Sequence, residues 1–373
     1  MKKLFWGSLG ALAWTHVGYP LAAALAARLR PNPPDRADVT PSVTVIVAAW
    51  NEESVIARRL ENLLALDYPE AKLDVVVVSD GSSDSTAAIL EQFVVSGRVH
   101  TLMKPSSQGK AAGLNDAIKL ATGEVLLFTD ARQQIELGAL RLLVENFADP
   151  EVGAASGELM LGDPSTGETG KGMGLYWRIE KRVRDLESAS GSVPGATGAI
   201  YCARRSLLDP LPEGTILDDV LLPMQIVRKG ARVVFDPRAR AWDSPDLGGS
   251  REFTRKVRTL SGNYQLLQLA PWLLSSKNPI RFEFVSHKLS RLAVPFALLA
   301  ALMASLFLTE PFYRGALIAQ LAFYTLSLVG MAGVKIGPLS RVADPARTFV
   351  VLNCAALVAF VNFLVGRKAV WVR

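Results

Sequence analysis

Four long apolar stretches bracket a polar middle along the chain. Residues 4–27 (LFWGSLGALAWTHVGYPLAAALAA), 289–308 (LSRLAVPFALLAALMASLFL), 315–334 (GALIAQLAFYTLSLVGMAGV) and 348–365 (TFVVLNCAALVAFVNFLV) stand out. Each approaches the ~20 residues that a helix needs to cross a bilayer. The first predicts a transmembrane anchor over 1–30, and the others a C-terminal membrane region over 289–373 with about three spans. Lys2 and Lys3 give the first stretch the look of a signal peptide. Its apolar part is long for a signal core, however, and Arg28 and Arg30 follow at once, which favours an uncleaved anchor. Residues 31–41 (PNPPDRADVTP) carry no periodicity and read as a linker.

From residue 42 the period changes. SVTVIVAAW (42–50) is a nearly continuous β-branched run, the mark of a strand buried on both faces. The next segment, NEESVIARRLENLLAL, places Val55, Ile56, Leu60, Leu63 and Leu64 at helical spacing. KLDVVVVSDGSSDSTAAILEQF repeats the unit: a strand, a polar turn, then a helix opened by Asp84 or Ser85 as N-cap. GKAAGLNDAIKLAT reads as another helix and GEVLLFTD as another strand. This alternation from 42 to 150 predicts an α/β fold on a parallel, doubly wound sheet. Further on, GLYWRIEKRVRDLES (174–188) is amphipathic and reads as a surface-lying or acceptor-side helix. REFTRKVR (251–258) and PWLLSSKNPIRFEFVSHKLSRL (271–292) read as helices on the bilayer surface, Phe253, Val257 and Leu260 dipping in. His287 belongs to that interfacial packing.

The 373 residues are 50% hydrophobic, with a mean hydropathy of +0.23, too apolar for an ordinary soluble protein. Arg28, Arg30 and Arg36 flank the middle on one side, and Lys277, Arg281, Lys288 and Arg291 on the other. Lys335, Arg341 and Arg347 lie between the last two spans. The positive-inside rule then places the middle domain in the cytoplasm, in an integral protein of an inner or plasma membrane. Lys2, Lys3, Arg367, Lys368 and Arg373 run against it, so the topology of the two ends stays open. Two cysteines, Cys202 and Cys354, exclude a disulfide framework or zinc site. The net charge of +6 sits beside apolar spans and so points to anionic lipid as partner, not to nucleic acid.

In doubly wound sheets ligands gather at the carboxyl ends of the strands. Here those ends carry Asn51, Glu52 and Glu53, then Asp80, then Asp130. One acidic residue after a strand is usually a turn former; three on one edge mark a site. AAWNEESV has no glycine, which excludes a G-x-G-x-x-G dinucleotide loop, and the P-loop pattern is absent. What remains is acidic: carboxylates suited to ribose hydroxyls, a base edge, or a divalent cation bridging a diphosphate.

In order and spacing, VIVAAWNEE, VVVVSDGSSDST, GKAAGLNDAI and LLFTDAR resemble the nucleotide-binding half of family-2 inverting glycosyltransferases with the GT-A fold. The resemblance continues through GATGAIYCARR, TILDDVLLPMQIVRKGARVVFDPRARA and FTRKVRTLSGNYQ, over roughly residues 40 to 270. It is nearest to the membrane-integrated members related to cellulose, chitin and hyaluronan synthases and to ceramide glucosyltransferase. It implies a GT-A type mixed sheet over 42–250, followed by interfacial helices with an R-x-x-R motif over 251–288. It also implies that Glu52 and Asp80 meet the nucleoside of a UDP-sugar, that Lys110 lies near the diphosphate, and that Asp130 is the first carboxylate of a D-x-D motif binding Mg²⁺ or Mn²⁺. Asp219 matches the catalytic aspartate. Arg255 and Arg258 match a motif that closes over the diphosphate. The acceptor side falls to Gly195, Thr197 and Gly198 of GATGA and to Asp218. Two positions depart from the pattern: Arg132 stands where the second carboxylate belongs, and Thr259 where a tryptophan does. Either Asp130 alone still holds Mg²⁺ with the diphosphate and waters, the favoured reading, or Arg132 faces the diphosphate itself as a bidentate cation doing part of the metal's job.

Inversion needs a base on the acceptor hydroxyl and a stabilised leaving group. Adjacent Asp218 and Asp219 raise each other's proton affinity, which suits a base near neutral pH; the plainer reading is that they open a helix, where acids favour the N-terminus. GATGA likewise allows close approach of a ligand or a plain tight turn. The functional expectation is a membrane-bound transferase moving a sugar to a lipid or growing glycan, with an oligomer or translocation partner if the product is a long polymer. A nucleotide-sugar sensor and a membrane nucleotidyltransferase are the alternatives.

Overall fold

The computed structural model describes residues 1–162, 175–243, 249–332 and 340–366. Gly174, Lys335, Arg367, Lys368, Arg373 and the end of the 315–334 stretch lie outside them. In chain order, helix α1 (Lys2–Leu29) precedes β1 (Val43–Ala49), α2 (Ile56–Leu64), β2 (Leu73–Asp80), α3 (Thr86–Val94) and β3 (Val99–Lys104). Then come α4 (Lys110–Leu120), β4 (Val125–Phe128), β5 (Gln134–Ile135), α5 (Ala139–Val144), β6 (Val152–Leu161) and α6 (Leu175–Ser190). The chain continues with β7 (Tyr201–Arg204), α7 (Asp218–Arg228), β8 (Arg232–Asp243) and α8 (Gly249–Leu269), and ends in α9 (Arg281–Phe307), α10 (Pro311–Met331) and α11 (Ser340–Leu364).

One eight-stranded sheet runs β3-β2-β1-β4-β7-β6-β8-β5. β1 pairs in parallel with β2 and β4, Val45 opposite both Val75 and Leu127. All seven β1 residues are buried, as a β-branched run covered on both faces must be. Alternate residues feed two cores. Val45, Val47, Val77 and Leu127 meet α2, α3 and α5, whereas Ile46, Val76, Leu126 and Phe128 meet α4, α7 and the end of α8. The purely parallel sheet expected from the period alone is corrected: β7 inserts antiparallel between β4 and β6, and the sheet is mixed. Strand β3, too short and polar to register in the pattern, forms the parallel edge beyond β2.

α1, α9, α10 and the stretch Val342–Leu364 of α11 are each long and apolar enough to cross a membrane. The second of these begins well before residue 289, because the segment expected to lie on the surface is the first turns of α9 itself; only Pro271–Leu274 forms a separate short helix. Phe253, Val257 and Leu260 of α8 pack on Leu292, Ala355 and Ala359 of α9 and α11, so this face has a protein partner. Helix α6 shows one face outward, with Arg178, Ile179 and Arg182 exposed, and turns the other inward. Glu187 is buried, and Tyr19 of α1 and His287 of α9 bond to it. His287, 1% exposed, sits with Nδ1 2.7 Å from Glu187 Oε1 and Nε2 3.0 Å from Glu180 Oε1; Arg291 bonds Glu180 on its other oxygen. This polar clasp joins α1, α6 and α9. Two of the charges on α6, Glu180 and Glu187, are thus directed at other charges inside.

Candidate active site

The carboxyl ends of β1, β2 and β4 and the N-terminus of α7 form the crevice. After β1 the chain turns through Asn51 at φ +54 and is stitched to the turn after β2. Ser83 N and Ser85 N donate to Asn51 Oδ1 (2.7 Å) and Glu53 Oε2 (2.9 Å), and Glu52 N donates to Thr86 Oγ1 (2.8 Å). Thr86 N donates to Asp84 Oδ1 at 3.0 Å in the turn before α3, and of the two cap candidates Ser85 takes the N-cap position, without a side-chain bond. Asp80 is fully buried. Its carboxylate accepts from Ser107 Oγ, Gln108 N and Gly109 N at 2.7 to 3.1 Å and faces Lys104 at 3.6 Å. It was expected at the nucleoside; the geometry instead gives it the loop 105–109 that delivers Lys110.

Lys110 opens α4 and points its ammonium between two carboxylates, 2.8 Å from Asp130 Oδ1 and 3.1 Å from Asp218 Oδ1. Burial works against its charge, but Asp130 and Asp218 outweigh it and raise its pKa. Asp130, 41% exposed, feels the converse: desolvation is overcome by Lys110, with Arg258 and Arg132 adding to the pull, and its carboxyl titrates below the usual range. Asp219 donates nothing and accepts Gly198 N on Oδ2 at 3.2 Å. Burial and the neighbouring Asp218 push its pKa up to about 6, against the pull of Lys110 and Lys288. A Cβ on Gly198 would lie 3.2 Å from Asp219 Oδ2 and 3.7 Å from Asp130 Oδ2. The two acids therefore flank one backbone glycine. Gly195, at φ +134, lies against Val220 and the Asp219 carbonyl, and Thr197 N donates to Ser156 Oγ at 2.9 Å.

Arg258 on α8 has a buried Nε without a hydrogen-bond partner among the described residues, and its charge helps hold the Asp130 carboxyl low. Arg255 sits on the same helix one turn earlier. Arg132 pairs with Asp243 at 3.5 Å, which turns it towards the end of β8. Three groups escaped the sequence reading. Arg184 donates to Thr197 Oγ1 (2.6 Å) and Ser156 Oγ (3.0 Å) and bears on Asp219. Lys288 reaches Asp219 electrostatically from α9. Arg59, buried, bonds Thr129 beneath Asp130, and desolvation lowers its pKa to about 9. No local pattern marks these; each depends on how distant elements pack.

No three His, Cys, Asp or Glu side chains gather into a metal cage among the described residues. Asp130 keeps one oxygen, Oδ2, without a hydrogen bond. That fits a cation held by one protein oxygen, with a diphosphate and waters filling the remainder, as Mg²⁺ characteristically permits.

Residues 44–211 match Glycosyl transferase family 2. Poly-beta-1,6-N-acetyl-D-glucosamine synthase of Staphylococcus aureus (strain COL) is 26% identical over 246 residues, 64% of this chain and 58% of its own. Beta-monoglucosyldiacylglycerol synthase of Trichormus variabilis is 29% identical over 228 residues, 59% of this chain and 49% of its own. The chain thus spans about half the length of the curated relatives it matches. Among solved structures, mannosyltransferase PcManGT from Pyrobaculum calidifontis, in complex with GDP-Man and Mn²⁺, superposes with a TM-score of 0.73 at 25% identity, over 98% of this chain and 100% of that one.

Proposed function

We propose, from the premise that residues 44–211 form a glycosyl transferase family 2 domain, that this chain is an inverting membrane glycosyltransferase. It moves a sugar from a nucleoside diphosphate sugar to a lipid or growing glycan at the cytoplasmic membrane face. The observation that carries the reading is the pairing of Asp130 and Asp219 across Gly198, with Lys110 and the Arg258 guanidinium acting on Asp130. That arrangement supplies two cations, Lys110 and Arg258, for a diphosphate on one side and a carboxylate base on the other.

In this reading the acceptor hydroxyl attacks the anomeric carbon from the face opposite the diphosphate. The new C–O bond forms as the bond to the diphosphate oxygen breaks, which inverts the centre. Asp219 takes the hydroxyl proton, and its pKa of about 6 leaves it ionised yet basic near neutrality. Lys110 and Arg258 hold the charge that develops on the leaving diphosphate. A divalent cation at Asp130 would add Lewis-acid stabilisation of that same charge. Glu52 and Arg255 line the donor side, and Gly195, Thr197, Gly198 and Asp218 the acceptor side. Asp80 acts by fixing the loop before Lys110, and Arg132 through its bridge to Asp243.

The family resemblance favours uridine, whereas the full-length structural neighbour was solved with GDP-Man, so the test uses both kinds of donor. The chain in lipid nanodiscs is incubated with labelled UDP- and GDP-sugars. Turnover of one donor, lost in Asp219→Asn while that donor still binds, is the expected result. Binding without turnover in the intact chain would instead establish a sensor.

A further inference from the structure

Loop 195–199 lies between the two acids of the site, and its sequence gives it few means of holding a shape. Of Gly195, Ala196, Thr197, Gly198 and Ala199, only Thr197 has a side chain that can hydrogen bond. Gly195 stands at φ +134, a conformation that a side chain would strain. Yet this loop is bonded to Asp219 twice. Ala196 N donates to the Asp219 carbonyl at 2.7 Å, and Gly198 N donates to Asp219 Oδ2 at 3.2 Å. Among the described residues the other oxygen, Oδ1, accepts no hydrogen bond.

What fixes the loop lies outside it. Arg184 of α6 donates from one terminal nitrogen to Thr197 Oγ1 at 2.6 Å and from the other to Ser156 Oγ at 3.0 Å. Ser156 is fully buried in β6, a strand inside the sheet, and also accepts Thr197 N at 2.9 Å. Three groups on three elements thus close a triangle. A guanidinium suits it, because its planar fork carries two donors at a fixed separation. The fork is itself seated, 4.8 Å over the Phe235 ring of β8. One turn to either side on α6, Glu180 and Glu187 are held by His287. At the far end of the loop the Ala199 carbonyl accepts from Thr129 Oγ1 at 2.7 Å, next to Asp130 in the chain.

We infer that Arg184 is a positioning residue for the base: through Thr197 it holds loop 195–199 so that Gly198 N–H fixes Asp219 Oδ2 and leaves Oδ1 to take the acceptor's proton. The inference rests on the transferase reading for the role of Asp219, but its first readout is a property of the loop and needs no turnover.

Hydrogen exchange of the full chain in nanodiscs, followed by mass spectrometry, supplies that readout. Arg184→Met keeps an unbranched chain over Phe235 and removes both donors; the amides of 196–198 should then exchange about 10-fold faster or more, with those of β1 unchanged. Thr197→Val, which removes only the hydroxyl, should do the same, and Thr197→Ser, which keeps it, should not. With a donor that turns over, Arg184→Met should lower kcat about 10- to 100-fold, as a displaced catalytic group does, and leave the donor KM within about 2-fold. Adding Arg184→Met to Thr197→Val should cost little more than either change alone, because both act through one bond. Exchange at 196–198 unaltered by Arg184→Met overturns the inference, as does a kcat near that of the wild type, or a donor KM that rises as kcat falls. Faster exchange in a chain that turns over no donor leaves Arg184 holding the loop and removes the transferase reading instead.

Discussion

Proton affinity at Asp219 ties the site's charges to a measurable profile. As the base, it works only ionised, so activity should fall as pH drops through about 6. Asp219→Asn should lower kcat about 10²- to 10⁴-fold, with the donor KM little changed. The same shift has a stability counterpart. An acid whose folded pKa exceeds its unfolded value binds more protons when folded, so this group makes the fold less stable as pH rises from about 4 to about 6. Unfolding midpoints of wild type and Asp219→Asn should diverge over that window, the wild type losing ground. Arg132 offers the companion test. Arg132→Asp removes the bridge to Asp243 and restores a second carboxylate near Asp130; lower concentrations of Mn²⁺ should then give half-maximal turnover, and an unchanged requirement would place residue 132 outside the donor shell. Asp130 was legible as an acidic strand end, and Lys110 and Asp219 through the family resemblance. Arg184, Lys288 and Arg59 were not, since their nearness to the acids comes from the packing of α6, α9 and α2.

Elements are held to one another by buried polar contacts that local propensity does not reveal. Asp80 ends β2 with no solvent access and accepts three donors from loop 105–109. Asp80→Ala leaves those buried donors unmatched, while Lys104 keeps Asp116, and should cost about 3 kcal/mol, read by thermal unfolding. Gly81, at φ +69, would place a Cβ 2.4 Å from Ser107 N. Gly81→Ala therefore adds a clash to the ~1–2 kcal/mol of a left-handed residue, and both variants should lose donor binding along with stability. The sequence disclosed the parallel half, β1, β2 and β4, because a strand covered on both faces writes a continuous apolar run. It hid β7, four residues long, whose antiparallel place depends on β6 reaching it from beyond α5. It also left α6 between a surface-lying and an acceptor-side helix, since a charged stripe looks the same whether it meets water or a buried histidine.

At the scale of the molecule, the clasp of Tyr19, Glu187, His287, Glu180 and Arg291 ties two candidate spans to the catalytic domain. Burial alone would raise the Glu180 pKa, yet Arg291 and His287 hold it well below the carboxylate range. Removing one member of such a buried set strands the others. Glu187→Ala should destabilise the chain by about 3–5 kcal/mol and expose the 31–41 linker to protease, with the spans still inserted. At the opposite end, Lys2 meets Glu310 at 2.5 Å and Trp6 Nε1 donates to Tyr313 Oη at 3.2 Å, so the start of α1 lies beside the turn between α9 and α10. The spans themselves were plain from hydropathy; their joining to α6 was not. That joining has a geometric outcome. On the proposed reading, Asp219 is held through α6 to α1 and α9 at a level that the 31–41 tether does not set, and an amphiphilic acceptor would be sorted by how far its head group projects as much as by its chemistry.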